Sequence, residues 1–194
     1  MANDTHLAET LLQGEAIFKG KLLDVRRDTV ALPGGGTATR EYIVHPGAVM
    51  VVPLLDDGRI VVERQYRYPL SRALLEFPAG KIDPGESTLA CAMRELAEET
   101  GYRATEWARA GELHNAAGYS NEFIEIWFAR GLVDGARALD HGEAIDVFPM
   151  EEAELLRLAG SGELTDAKTL IGLLWLQQWR AGRWTLNWRT SPRP

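Results

Sequence analysis

Three glutamates, Glu95, Glu98 and Glu99, stand within five residues of one another, just before Gly101. The run predicts a helix over residues 88–100, with Gly101 as its left-handed stop. At about 100° per residue, the three acids fall within roughly a third of a turn. Leu89, Met93 and Leu96 fall on the opposite side, with Ala90, Ala92 and Ala97 flanking them. One face can therefore pack on a sheet while the other presents a dense patch of negative charge. Like charges at this spacing repel by a few tenths of a kcal/mol when exposed. Burial would also raise their pKa. A hard divalent cation removes the penalty, because carboxylate oxygens are what magnesium and manganese prefer.

Taken alone, three glutamates describe a solvated acidic helix face. Their setting changes the reading. Gly80 and the loop of Lys81, Ile82, Asp83, Pro84, Gly85 and Glu86 lead into the helix, and Gly85 lets that loop bend sharply. Arg94 adds a cation able to orient one of the acids. The result is a loop, a helix and a stop, with the acids gathered at one end. Cys91, between two alanines on this helix, reads as buried packing and not as a nucleophile.

Around this unit the pattern alternates. Residues 1–13 read as a loose or helical lead and 16–30 as strand-like. Leu32, Pro33 and three consecutive glycines must turn, and a strand resumes over 37–45. Pro46 and Gly47 mark a seam. Residues 47–55 form an apolar run of buried-strand length. Asp56, Asp57 and Gly58 give a hairpin signal, and 59–66 is the partner strand. Further strands are expected over 74–77, 106–113 and 122–130. Besides the acidic helix, helices are expected over 150–159 and 166–180, the latter capped by Asp166. Strands with interleaved helices point to an α/β or α+β sandwich. The expected organisation is an N-terminal β-sheet segment over 1–45, a main domain over 46–182 and a tail over 183–194.

A formal charge of −7 argues against a general nucleic-acid binder, because phosphate backbones reward a positive surface. It leaves room for a small anionic substrate held through a cation. A single cysteine precludes an internal disulfide and fits a reducing compartment. Residues 1–9 are polar and have no signal-peptide core, and the longest apolar stretch, 48–55, is too short to cross a bilayer. A cytoplasmic protein without membrane partners is expected.

The stretch GKIDPGESTLACAMRELAEETGY resembles the Nudix box, G-x5-E-x7-R-E-U-x-E-E-x-G-U with U bulky and apolar. Gly80, Glu86, Arg94, Glu95, Leu96, Glu98, Glu99, Gly101 and Tyr102 fill it. Nine fixed positions make the signal specific. Residues 45–86 and 164–176 further resemble the ADP-ribose pyrophosphatase branch of that family.

The resemblance implies an α/β/α sandwich around a mixed central sheet, with an N-terminal antiparallel sheet that forms a homodimer. It also implies Mg2+, with Mn2+ as a substitute, and hydrolysis of ADP-ribose to AMP and ribose 5-phosphate. Glu95 and Glu99 would be principal metal ligands, joined by the carbonyl of Ala79, with Glu98 a ligand directly or through water. Arg94 would position a glutamate. Arg67 resembles an arginine that grips the diphosphate, and Glu76 a substrate-pocket glutamate, though a solvent-facing strand residue fits Glu76 equally well. Glu143, in the loop of residues 140–147, would supply a metal ligand and the general base. His141 in the same loop is the alternative base, although an exposed loop histidine is the simpler description. Phe18 is a candidate platform for adenine, although an aromatic on a strand more often belongs to a core. Ala117 stands where the branch carries a proline. Another nucleoside diphosphate sugar, such as GDP-mannose, therefore remains open as substrate. A non-catalytic ADP-ribose sensor is also possible, but the box is whole and no basic segment follows Arg180.

Overall fold

A computed structural model describes residues 4–139 and 142–191. The chain forms two compact units. One comprises residues 1–46 with 116–122, and the other residues 47–115 with 123–194.

The first unit is a three-stranded antiparallel sheet of β1 (Thr10–Lys19), β2 (Asp24–Ala31) and β3 (Thr37–Val44), in that order. The single strand-like run expected over 16–30 is in fact a hairpin. Gly20 donates its amide to Leu23 O and reverses the chain. Among the described residues the lead holds one 3-10 turn, Asp4–Leu7, and from Thr10 it already belongs to β1. Across the β2–β3 pair, Arg27 holds Glu41 and Tyr42 donates to Asp28. Every residue of β1 is exposed, including Leu11, Leu12, Ile17 and Phe18. Phe18 is thus no core residue of this chain: it lies on an edge strand that no other element of its own unit covers.

The second unit is built on a five-stranded sheet. Its order is β11 (Arg189–Thr190), β8 (Arg103–Leu113), β9 (Ile124–Val133), β4 (Ala48–Pro53) and β7 (Ala79–Lys81). β4 and β9 run parallel and the other pairs antiparallel, so the sheet is mixed. β4 is buried along its whole length, which is why it reads as an unbroken apolar run instead of an alternating one. A second antiparallel sheet sets β5 (Ile60–Arg67) between β10 (Ile145–Met150) and β6 (Arg72–Glu76).

Period-2 alternation divides the core in two. Val49, Val51, Trp127 and Ala129 face Cys91, Ala92 and Leu96 of α1 (Thr88–Glu95) and the turn that continues it. Met50, Val52, Ile126 and Phe128 share the other core with Ile60 and Val62, with Leu155 of α2 (Glu152–Ser161), and with Leu173 and Leu176 of α3 (Ala167–Arg180). Helices therefore cover both faces of the mixed sheet. Each such aliphatic or aromatic side chain removed from water stabilises the fold by about 1.5–3 kcal/mol. α3 approaches closely because Gly172 has no Cβ: one placed there would lie 2.7 Å from Met50 Cε. Its N-cap is Asp166, whose carboxylate accepts from Thr169 N at 2.9 Å.

The tail packs on its own unit. Trp175 and Trp184 meet edge to face at 4.3 Å, Trp179 contacts Trp188, and Arg130 stacks over Trp188 at 4.1 Å. Ser191 accepts from Trp107 Nε1.

Candidate active site

The acidic helix changes its winding partway along. α1 begins at Ser87, whose hydroxyl accepts from Ala90 N. At Leu96–Thr100 it widens into a single π turn, which Gly101 closes with φ 81°. That turn carries Glu98 and Glu99. Glu99 points inward and is buried, whereas Glu98 keeps about a third of its side chain in water.

Arg94 is the hub of this end. Its guanidinium donates twice to Glu86 (3.0 and 2.9 Å), to Glu95 at 2.7 Å, to Glu98 at 3.1 Å and to Lys81 O at 3.1 Å. One planar fork thus ties the loop over 81–86 to two acids on the helix. The Arg94 hydrogen bonds hold the Glu86 carboxyl down at about 2. Four carboxylate contacts in turn raise the Arg94 guanidinium itself.

Gly80 makes room for Glu95. A Cβ at residue 80 would meet the Glu95 carboxyl carbon at 1.9 Å, so the carboxylate rests directly on the glycine backbone. Burial pushes the Glu95 carboxyl up, partly offset by Arg94. Glu99 accepts from Ala79 N at 2.9 Å. Burial, then repulsion from Glu63 and Glu95, pushes its carboxyl well above the ordinary range. Glu143 is exposed, yet close enough that its charge raises Glu63, Glu95 and Glu99. His141 lies outside the described residues. Burial also pushes the Cys91 thiol up, and its hydrogen atom points at Lys81 O; an inert packing group results.

A second cluster adjoins the first. Glu76, on β6, is 1% exposed, which removes the solvent-facing description. Arg67 grips it with two hydrogen bonds of 2.7 and 2.6 Å, and Lys168 forms an ion pair with it. Burial alone would raise the Glu76 carboxyl, but these two cations outweigh it and hold it low. Asp166 accepts from Lys168 and from the Thr169 hydroxyl, which in turn accepts from Phe77 N. Arg67 is thus braced by Glu76, with part of its side chain still open to solvent.

Two members of this region were not anticipated. Lys168 lies in the first turn of α3 and reads as an ordinary helix lysine. Glu63 sits on β5 where alternation marks only a polar face. It is fully buried, and neither carboxylate oxygen has a hydrogen-bond partner. Burial, followed by repulsion from Glu76, pushes its carboxyl up.

Buried oxygens with no compensating proton donor suit a hard divalent cation, and an all-oxygen set suits magnesium or manganese over softer metals. Among the described residues no three such side chains already converge on one point. Glu95 is turned to Arg94 and Glu99 to the Ala79 amide. An open groove lined by Leu54, Glu106, Arg130, Trp179 and Arg180 lies elsewhere and contains none of the carboxylates described above. Among the described residues no helix is long and apolar enough to cross a membrane.

Comparison with known proteins agrees with this arrangement. Residues 44–170 match the NUDIX domain, and residues 9–43 match the nucleoside diphosphate sugar hydrolase N-terminal domain. The chain is 37% identical to an ADP-ribose pyrophosphatase of Bacillus subtilis (strain 168), covering 88% of this chain and 94% of the relative. It is 36% identical to a methanol dehydrogenase activator of Bacillus methanolicus, over 87% of this chain and 92% of that one. A crystal structure of an ADP compounds hydrolase superposes with a TM-score of 0.81 at 27% identity, covering 90% of this chain and 95% of that one. Likeness of this extent reaches from the box through both flanks of the sheet, and the chain accordingly belongs to the Nudix family of hydrolases.

Proposed function

We propose that this enzyme hydrolyses the diphosphate bond of ADP-ribose, giving AMP and ribose 5-phosphate, with Mg2+ as cofactor and Mn2+ as substitute. One observation carries the metal reading: Glu95, resting on the Gly80 backbone beside Arg94, and the buried Glu99 bring two carboxylates under cover at one end of the helix. The substrate reading is supported by relatives named ADP-ribose pyrophosphatase in Bacillus subtilis and Mycobacterium tuberculosis.

A bound divalent cation would supply charge neutralisation of the diphosphate and acidify an attacking water. Glu95, Glu99 and the Ala79 carbonyl would hold it, with Glu98 assisting from the solvent side. Arg94 keeps Glu95 and Glu98 in register with the loop. Glu143, exposed beside the cluster, would accept the proton of an attacking water as general base. Arg67, braced by Glu76, presents a pre-aimed guanidinium to the diphosphate.

The description of the N-terminal match favours a second reading, a different nucleoside diphosphate sugar such as GDP-mannose. The exposed apolar residues of β1, Leu11, Leu12, Ile17 and Phe18, support a homodimer formed through the sheet of residues 1–45. The single cysteine, buried Cys91, supports a cytoplasmic location. Incubation with ADP-ribose or GDP-mannose and Mg2+, with products resolved chromatographically, tests the substrate. AMP release is expected, and its absence at every Mg2+ concentration would exclude ADP-ribose. Glu99→Gln should lower turnover by orders of magnitude with the fold intact.

A further inference from the structure

We infer that Glu63 is an additional metal-facing carboxylate of this site, set beside Glu99 and held ready for a hard divalent cation. The inference rests on the metal dependence proposed above.

Glu63 closes the buried first half of β5, after Ile60, Val61 and Val62. An aliphatic side chain would fit there at no electrostatic cost. Instead the position carries a carboxylate with no exposure and with both oxygens unpartnered. Directly across the strand pair stands Glu76, another acid. Like charges so placed destabilise a sheet. The charged groups around Glu63 are Glu76, Lys168, Arg67, Glu143 and Glu99. Of these, the two cations are already committed: both oxygens of Glu76 take Arg67, and Lys168 divides between Glu76 and Asp166. Among the described residues no cation hydrogen-bonds Glu63. Buried charges persist when they are paired or coordinate metals. With pairing used up on Glu76, the metal-free protein can relieve Glu63 by protonation, but two unpartnered buried oxygens fit coordination, either directly or through a water held by the cation. The chemistry selects an ion with all-oxygen coordination, Mg2+ or Mn2+.

The test uses the full chain stripped of metal and titrated with Mn2+, free ion being read by electron paramagnetic resonance. Wild type is compared with Glu63→Gln and Glu63→Val. Both variants should bind Mn2+ at least tenfold more weakly. Their metal-free melting temperature should hold or rise, so the stabilisation produced by Mn2+ shrinks. Affinity and Mn2+-induced stabilisation within twofold of wild type would make Glu63 a structural residue only and overturn the inference. Absence of Mn2+ binding by wild type would overturn the metal reading and this inference with it. A measurement without variants decides independently. In wild-type crystals grown with Mn2+, an anomalous peak should lie within about 2.0–2.6 Å of a Glu63 oxygen, or of a water that oxygen holds. A peak bound only by Glu95 and Glu99, with Glu63 hydrogen-bonded to protein, refutes it.

Discussion

Replacing Gly80 with alanine separates stability from catalysis at a single methyl group. The added Cβ would lie 1.9 Å from both Cδ and Oε1 of Glu95, where ordinary contact begins at 3.4 Å. The backbone gives no reason for strain, because Gly80 is not among the residues with positive φ. What must yield is the end of a flexible side chain. The carboxylate has to retreat by roughly 1.5 Å, and a displacement of about 1 Å in a catalytic group can lower a rate by about 10²-fold. Such a loss corresponds to about 2.7 kcal/mol of transition-state stabilisation. Stability should change far less. Losing glycine's freedom in the unfolded chain contributes about 0.4–1 kcal/mol in favour of the variant. The weakened Arg94–Glu95 hydrogen bond opposes it, while Arg94 keeps its fork on Glu86. Urea unfolding should therefore place Gly80→Ala within about 1 kcal/mol of wild type. Steady-state kinetics across a Mg2+ series should show turnover down by about 10²-fold. Wild-type turnover in the folded variant would show that the position of Glu95 against Gly80 is irrelevant to the chemistry.

Two other perturbations bear on the buried charges. Glu76→Gln leaves Arg67 and Lys168 facing a neutral group; removing one partner of a buried ion pair costs about 3 kcal/mol, readable in denaturant unfolding, and a cost below about 1 kcal/mol would mean the network is not rigidly held. Glu63 and Glu99 titrate above their unfolded values, so the stability they contribute is complete below the ordinary carboxylate range and is lost as pH rises through their raised values. The metal-stripped protein should therefore melt at progressively lower temperature as pH climbs from mildly acidic past neutral, and Mg2+ should flatten that slope; a melting temperature that rises over this interval contradicts the reading.

What the sequence made legible was local. Glu95, Glu98, Glu99 and Gly101 could be placed on one helix end because periodicity and a stop residue are short-range properties. Asp166 announced α3 for the same reason. The apolar run of β4 declared its burial directly. The missed features depend on what lies over a residue, which alternation alone does not report. Along β5 the pattern separates Ile60 and Val62 from Glu63 but cannot say that both faces are covered. Glu76 was equally balanced between water and pocket until Arg67 and Lys168, separated from it by 9 and 92 positions, were seen to close around it. The hairpin turn at Gly20 was hidden because the residues on either side of it are equally strand-like. Glu143 could be picked out in its loop, but its proximity to three other acids is a tertiary fact.

The π turn at Leu96–Thr100 has a consequence for anyone who would transplant this motif. A π turn is one residue wider than the winding it interrupts. Deleting a single residue there would return the turn to ordinary winding and change the direction of Glu98 and Glu99 relative to Glu95. The motif is consequently portable only onto a scaffold that reproduces this turn, and a variant lacking Ala97 should lose activity even with every acid retained.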